Sequence, residues 1–114
     1  MRSVYALHEH ELRSGINHND YEKKIGKAIK QLRVPGLLHA YHLKGFKGQR
    51  DGKYAILWIF ESEEAIVRNF GTPQNPKWPK DWLHYENDVL APFIDRHPDK
   101  IDFTDYHPVS DVSF

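Results

Sequence analysis

The sequence contains no cysteine, which excludes disulfide bonds, thiolate nucleophiles and cysteine-based zinc or iron–sulfur sites. An excess of charge is also missing, because 16 Lys and Arg residues balance 16 Asp and Glu residues. The chain therefore has no net charge that would attract nucleic acid or an anionic membrane. The longest apolar run is too short to cross a bilayer, and the N-terminus has no signal-peptide pattern. We therefore expect a soluble, cytoplasmic protein.

The amino-acid composition is that of a globular protein. Hydrophobic residues make up 39% and charged residues 28% of a 114-residue chain, which is enough for one compact domain spanning residues 1–114. Aromatic residues reach 13%, and the chain has eight histidines. These two excesses are the compositional features that suggest a binding site.

The stretch Tyr54–Phe70 organises the predicted fold. Its first part, Tyr54–Phe60, is a continuous run of aromatic, β-branched and other apolar residues, which predicts a strand buried on both faces. Ser62 then provides a helix N-cap, and Gly71 stands where a left-handed C-cap residue is common. The pattern predicts a central strand that leads directly into a helix.

The remaining elements complete an alternating order. The other predicted strands are Val4–Leu12, Leu37–Phe46 and Ile101–His107. One helix is predicted to begin at Asn19, which with Glu22 resembles a capping box, and a third helical segment is predicted to begin at Asp81. This order indicates a ferredoxin-like βαββαβ fold of class α+β, with a four-stranded antiparallel sheet, helices on one face and an extra helical segment before the last strand.

The central strand also predicts self-association. Its alternating side chains form two apolar sets: Tyr54, Ile56, Trp58 and Phe60 on one face, and Ala55, Leu57 and Ile59 on the other. Helices can cover only one of these faces. We therefore expect a face-to-face homodimer in which a second copy covers the other face.

Three segments give the chain a family resemblance: Phe60–Ala65 (FESEEA), Arg33–Leu37 (RVPGL) and Phe103–Tyr106 (FTDY). With the element order, they resemble the dimeric α+β barrel superfamily, which includes antibiotic-biosynthesis monooxygenase-like and stress-responsive A/B-barrel families. The resemblance implies two facing sheets and, in each protomer, a pocket between sheet and helices. It also implies a small aromatic or polyketide-like substrate, often handled without a metal or organic cofactor.

The catalytic residues of these relatives do not transfer to this chain. The haem-degrading members use an Asn on the first strand with a Trp and a His, but here Asn69, Trp78 and His84 all lie elsewhere. The plant polyketide cyclase uses a Tyr and a His, whose places, counted from Phe60–Ser62, fall on Asn69 and Asn75. Neither amide can perform the same acid–base chemistry.

The candidate site combines residues of the second and third strands. His39 and Tyr41 share one face of the second strand, and we expect that face to look toward the helices together with Tyr54. His39 is the candidate base, and Tyr41 and Tyr54 would stabilise a developing oxyanion; core packing is the alternative for Tyr54. The expected pocket walls are Ile56, Trp58, Asn69, Trp78 and Tyr85.

His8 and His10 form an H-x-H pair on one face of the first strand, a spacing that can chelate a metal. A third ligand could come from His39 or His42. Two ligands do not define a metal site, however, so we interpret the pair as polar residues at a strand end, near the dimer contact or in water. No metal or other cofactor is predicted.

The sequence therefore predicts a small-molecule pocket protein that resembles cofactor-independent monooxygenases acting on an aromatic or polyketide-like compound. The alternative is a non-catalytic, dimeric ligand-binding or stress-associated protein. The expected partners are a second copy of the chain and a small molecule, and neither nucleic acid nor membrane is expected.

Overall fold

Strands and helices follow one another in the order that the sequence predicts. The structure, a computed structural model, describes residues 2–114. Its elements are β1 (Val4–His10), α1 (His18–Gln31), β2 (Leu37–Lys44), β3 (Tyr54–Phe60), α2 (Glu63–Phe70), the short hairpin β4 (Gly71–Thr72) and β5 (Asn75–Pro76), α3 (Lys80–His84), a π-helical turn (Tyr85–Leu90), a 3₁₀ turn (Pro98–Lys100) and β6 (Asp102–Tyr106).

The main sheet has four strands in the order β2-β3-β1-β6. All neighbouring strands run antiparallel, and β1 pairs with β3 from Val4 opposite Phe60 to His10 opposite Tyr54. The helices pack on one face of this sheet. The ferredoxin-like α+β fold predicted from the sequence is therefore confirmed.

The predicted strand–helix unit at the centre of the chain is confirmed in detail. β3 spans the predicted apolar run, and the Ser62 side chain caps α2 by accepting a hydrogen bond from the backbone N–H of Ala65 at 3.1 Å. Gly71 ends the helix with a φ of 73°. Glycine adopts such a positive φ without the steric cost of a Cβ atom, which explains why a glycine ends the helix at this position.

Two predicted helix starts are wrong. The N-cap of α1 is Asn17, whose Oδ1 accepts a hydrogen bond from the Asp20 N–H at 2.9 Å, whereas Asn19 lies inside the first turn. α3 begins after Pro79, so Asp81 lies inside the helix and caps nothing. The extended backbone of Pro79 (φ −60°, ψ 145°) places the boundary before Lys80.

The other three predicted strands are each two residues too long. β1 ends at His10, and beyond it Leu12 makes only an isolated bridge with Ile94. β2 ends at Lys44, where the glycine-containing loop to β3 begins. Pairing partners, rather than local composition, therefore decide where these strands end.

The hydrophobic core lies between the sheet and the helices. Tyr21 and Ile25 of α1, with Trp82 and Tyr85 near the C-terminal part of the chain, pack on the inner side of the sheet. The main buried sheet residues on this side are Val4, Ala6, Tyr54, Ile56, Trp58 and Phe60. This arrangement leaves one side of the sheet without helices.

The strand registers identify the residues of this second side, because directly opposed residues of antiparallel strands share a face. We call it the helix-free face; it carries Tyr5, Leu7, Glu9, His39, Tyr41, Leu43, Ala55, Leu57, Ile59, Asp102, Thr104 and Tyr106. The face is apolar around Leu7, Leu57 and Ile59, as the two-sided pattern of β3 predicts, and carries the two acidic residues Glu9 and Asp102 at one end. None of the helices within residues 2–114 is long and apolar enough to span a membrane.

Candidate functional site

Two adjoining cavities lie between the sheet and the helical layer. The outer cavity has a volume of about 270 Å³, and its main walls are Phe60, Ile66, Phe70, Trp78, Trp82 and Phe103. The inner cavity has a volume of about 230 Å³ and is lined by the side chains of Ile56, Trp58, Tyr85, Leu90, Ile94 and others. The outer cavity is bounded mainly by aromatic and aliphatic groups, whereas the inner cavity is also lined by six polar or charged residues: His8, Glu9, His10, Glu86, Asn87 and Arg96.

The two cavities share the side chains of His8, Trp82, Glu86 and Phe103. His8 reaches this position because it stands on the same face of β1 as Val4 and Ala6. Its imidazole packs against the Phe103 ring at 4.6 Å and the Trp82 ring at 6.2 Å between centroids. Burial lowers the pKa of His8 to about 4, so the ring is neutral at physiological pH.

Glu86 is the acidic group at the boundary between the two cavities. It lies on the π-helical turn that follows α3 and is only partly exposed. Burial raises the pKa of its carboxyl group, while a hydrogen bond with Trp82 and the charge of Arg96 act in the opposite direction. The boundary therefore holds one neutral imidazole and one carboxyl group that burial makes harder to ionise.

The inner cavity is bordered by two residues with unsatisfied polar atoms. Trp58 Nε1 and Tyr85 Oη have no hydrogen-bond partner among residues 2–114. Trp58 is 1% exposed and Tyr85 is 3% exposed, so neither group meets bulk water. Their rings meet edge to face with centroids 5.7 Å apart. Buried polar groups without partners are rare in folded proteins and require an explanation.

Several predicted wall residues do border these cavities. Ile56, Trp58 and Tyr85 line the inner cavity, and Trp78 lines the outer one. Asn69 does not line either of them. Its Nδ2 donates to the carbonyl oxygens of Pro35 (2.6 Å) and Ala65 (2.8 Å), and so ties α2 to the segment before β2.

The expectation that His39 and Tyr41 face the helices is wrong. His39 pairs with Ile59 and Tyr41 with Leu57, which places both on the helix-free face, and Tyr41 is 50% exposed. The cause is a register shift between Leu37 and His39. This irregularity inverts the alternation of β2, so that Ala40 and His42 point inward instead.

Tyr54 does face the helices, but it lies away from the two cavities described. The Tyr54 hydroxyl donates a hydrogen bond to the Glu22 carboxylate. His18 Nδ1 lies 3.1 Å from the oxygen of this hydroxyl. Burial and the neighbouring Glu22 raise the pKa of Tyr54, and the hydrogen bond from Tyr54 lowers the pKa of Glu22. The structure therefore does not bring Tyr54 together with His39 and Tyr41.

His10 also lies inside the sheet–helix layer, which corrects the expectation that it stands in water or near a dimer contact. Its Nε2 hydrogen-bonds to Tyr21 Oη, which in turn lies 2.9 Å from Nε2 of His42. Burial, followed by the charges of His42, Arg50 and His8, lowers the pKa of His10 to about 4. Residues 2–114 contain no group of three or more His, Asp or Glu side chains that could hold a metal.

The sequence predicted His8 to be a polar residue at a strand end, with a metal ligand as the alternative, and gave no role to Glu86. The alternation of β1 already placed His8 beside Val4 and Ala6, so its inward direction was readable from the sequence. The residues that surround His8 could not be predicted, because Trp82 and Phe103 come from distant parts of the chain. Glu86 had no local signal, since one acidic residue in a helical segment is ordinarily solvent-exposed.

Comparison with known proteins supports the fold. No protein-family model matches the sequence, and no curated protein matches it. A dabb family protein from Mesorhizobium loti with a ferredoxin-like fold superposes with a TM-score of 0.65 at 18% identity, covering 96% of this chain and 100% of that one. A dimeric, ferredoxin-like protein of unknown function from Bacteroides fragilis gives 0.62 at 12% identity, covering 92% and 95%.

A third solved structure has a description that names an activity. It is a "putative antibiotic biosynthesis monooxygenase" from Bacteroides thetaiotaomicron, with a TM-score of 0.55 at 18% identity, covering 95% of this chain and 90% of that one. Identities this low establish a shared fold and say nothing about shared chemistry. These comparisons therefore confirm the predicted ferredoxin-like fold.

Proposed function

We propose that this protein binds a small, flat aromatic compound in the outer and inner cavities between its sheet and helices. The observation that carries this proposal is the pair of adjoining, aromatic-walled cavities with a neutral imidazole at their boundary. Ligand sites are typically concave, mostly apolar and equipped with a few placed polar groups. The outer cavity has this character, and the inner cavity adds a larger share of polar groups.

The mouth of the outer cavity supports the same proposal. Trp78 follows the short β4–β5 hairpin and is 54% exposed, yet its ring packs edge to face on Phe70 with centroids 6.2 Å apart. Phe70 also contacts Trp82 at 5.1 Å. A large aromatic side chain held at a cavity mouth gains contact area when a flat ligand stacks against it.

A direct binding measurement tests this function. Indane, an apolar bicyclic hydrocarbon, serves as the probe, and ligand-observed NMR gives its affinity. Trp78→Ala should weaken binding about threefold to tenfold, because an aromatic contact contributes about 0.5–1.5 kcal/mol. Phe46→Ala is the matched control, since Phe46 is 87% exposed and lines neither cavity. Absence of indane binding to the wild-type protein at millimolar concentration would refute the proposal.

A second candidate function is cofactor-independent, monooxygenase-like turnover of the bound compound. The solved structure described as a monooxygenase supports it, together with the imidazole of His8 at the cavity boundary. His8 would take a proton from an activated ring CH₂ group, and the resulting carbanion would reduce O₂. The balance is CH₂ + O₂ → C=O + H₂O, with the substrate as the only reductant.

The low pKa of His8 sets a condition on this second candidate. A base with a pKa of about 4 takes protons weakly at neutral pH, so a developing anion beside it must raise its pKa. For this reason binding is the better supported function. Oxygen uptake with anthrone as the probe tests turnover. If the candidate holds, His8→Phe lowers the rate at least about a hundredfold while indane still binds.

The proposed assembly is a homodimer formed through the helix-free face. That face presents apolar side chains such as Leu7, Tyr41, Leu57 and Tyr106 without helical cover. The Bacteroides fragilis protein that shares this fold is described as dimeric. A second copy of the same face would bury these side chains and remove them from water.

A further inference from the structure

His107 directly follows β6 and contacts two other parts of the chain. Its Nδ1 lies 3.1 Å from the carbonyl oxygen of Ser3, just before β1, and its Nε2 lies 2.6 Å from Oε1 of Glu63, the first residue of α2. No other histidine within residues 2–114 hydrogen-bonds to oxygen atoms through both ring nitrogens. The ring therefore joins the beginning of β1, the end of β6 and the beginning of α2.

The two partners of this ring are satisfied together only by its protonated form. A carbonyl oxygen and a carboxylate accept hydrogen bonds, whereas a neutral imidazole has one N–H donor and one acceptor nitrogen. In the neutral ring, the nitrogen without a proton would face an oxygen lone pair. In agreement, the hydrogen bond to the Ser3 carbonyl, followed by the one to Glu63, raises the pKa of His107 above its ordinary value of 6.5.

The other charges around the ring come from the chain before β1 and from α2. Arg2 acts against protonation of His107, and Glu64 borders the same small surface pocket as Arg2, Glu63 and His107. The two paired side chains are 32% and 70% exposed, so water screens their attraction. Because the pKa of His107 is raised in the folded protein, the pair stabilises the fold below pH 6.5, and this contribution is lost as pH rises through the raised pKa.

The ring links two elements that both contribute walls to the outer cavity. α2 contributes Ile66 and Phe70, and β6 contributes Phe103. Within residues 2–114, the contact between His107 and Glu63 is the only hydrogen bond between α2 and the end of β6. We propose that His107 is a pH-sensitive clamp on the outer cavity: the protonated ring holds α2 against the end of β6, and the neutral ring releases it.

An NMR titration of the free protein tests the clamp. The Cε1–H signal of His107 should titrate with a midpoint above pH 6.5, and the methyl signal of Ile66 in the cavity wall should change with the same midpoint. Glu63→Gln is the decisive variant, because its amide can donate to Nε2 of a neutral ring and so holds the clamp without the second proton. The variant should lower the midpoint of His107 and remove the pH dependence of Ile66.

Glu64→Gln is the matched control. It removes the same charge from the same turn of α2, yet Glu64 makes no hydrogen bond to His107. It should therefore change the midpoint of His107 much less than Glu63→Gln does. An equal effect of the two substitutions would trace the midpoint to general charge and would refute the hydrogen-bonded clamp.

Ligand binding gives a second readout, which rests on the proposed function. The wild-type protein should bind indane about twofold to fivefold more tightly below the His107 midpoint than above it, because the walls that contact a flat ligand are then held together. This range corresponds to the contribution of a partly exposed ion pair. Glu63→Gln should remove the difference. Equal affinity for indane on both sides of the wild-type midpoint would refute the effect on binding.

The remaining outcomes separate the clamp from the proposed function. A His107 midpoint at or below pH 6.5, or one that Glu63→Gln leaves unchanged, refutes the clamp. A raised midpoint that the Ile66 methyl signal does not follow refutes its control of the cavity. If indane does not bind at any pH, the proposed function is refuted, whereas the His107 and Ile66 signals still decide whether the clamp exists.

Discussion

The hydroxyl of Tyr21 lies 2.9 Å from Nε2 of His42 and also hydrogen-bonds to Nε2 of His10. A single side chain of α1 thereby joins β1 and β2, which lie on either side of the central strand β3. The hydroxyl has one proton, so it donates to one imidazole and accepts from the other. If both rings are neutral, the two histidines therefore carry their protons on different nitrogens, and the imidazole that accepts from the hydroxyl must stay neutral for the network to be satisfied.

Tyr21→Phe should destabilise the protein. The substitution keeps the ring but leaves the Nε2 atoms of His10 and His42 without their common partner in a buried layer. Loss of a partner for a buried polar group costs about 1–3 kcal/mol. Urea unfolding followed by circular dichroism gives the change in the free energy of unfolding. Equal stability of the variant and the wild type would show that this network contributes nothing.

Acid should weaken the fold before the carboxylates are protonated. The pKa values of His8 and His10 are lowered from 6.5 to about 4 in the folded protein, so the unfolded chain binds protons first. The contribution of these two histidines to stability is complete above pH 6.5 and is lost progressively between pH 6.5 and about 4. Each histidine contributes a slope of up to about 1.4 kcal/mol per pH unit in that window. Urea unfolding at a series of pH values measures this slope.

The raised pKa of Glu86 acts in the opposite direction in the same window, because its neutral form is the one favoured in the folded protein. Glu86→Gln removes this contribution and should make the loss of stability on acidification steeper. In the Glu86→Gln background, His8→Leu should make the loss of stability on acidification shallower, because one histidine with a lowered pKa is removed. A slope unchanged by His8→Leu would show that His8 is not desolvated in the folded protein.

The start of α1 can be tested with two asparagines that are two residues apart. Asn17→Ala should destabilise the protein by about 1 kcal/mol, because the Asn17 side chain accepts the hydrogen bond from Asp20 N–H. Asn19→Ala should change stability by less than about 0.5 kcal/mol, as for other exposed positions. Thermal unfolding of the two variants compares them directly. If Asn19→Ala were the more destabilising substitution, Asn19 would be the N-cap, as the sequence alone predicted.

Leu57→Glu should disrupt the proposed homodimer. Leu57 occupies the middle row of the helix-free face, between Leu7 of β1 and Tyr41 of β2. An unpaired charge buried at this position costs about 3 kcal/mol or more, which weakens association at least about a hundredfold. Sedimentation equilibrium measures the dimer fraction, and Lys27→Glu on the exposed side of α1 is the control. A wild-type protein that is monomeric at every concentration would refute the assembly.

The sequence determined the parts of this fold that depend on neighbouring residues. The apolar run of β3, the Ser62 cap and the Gly71 stop were predicted correctly, because strand, cap and helix end each need only residues within a few positions of one another. The order of elements then restricted the topology to a ferredoxin-like sheet. The two apolar faces of β3 likewise identified the side that the helices leave uncovered.

Only the tertiary structure decided which side chains form the candidate site. The register shift between Leu37 and His39 turned His39 and Tyr41 away from the helices, and such a shift depends on the partner strand rather than on local composition. Likewise, His8 became a boundary residue because Trp82 and Phe103 pack around it from distant segments. The sequence alone thus predicted the scaffold, whereas long-range packing selected the residues of the site.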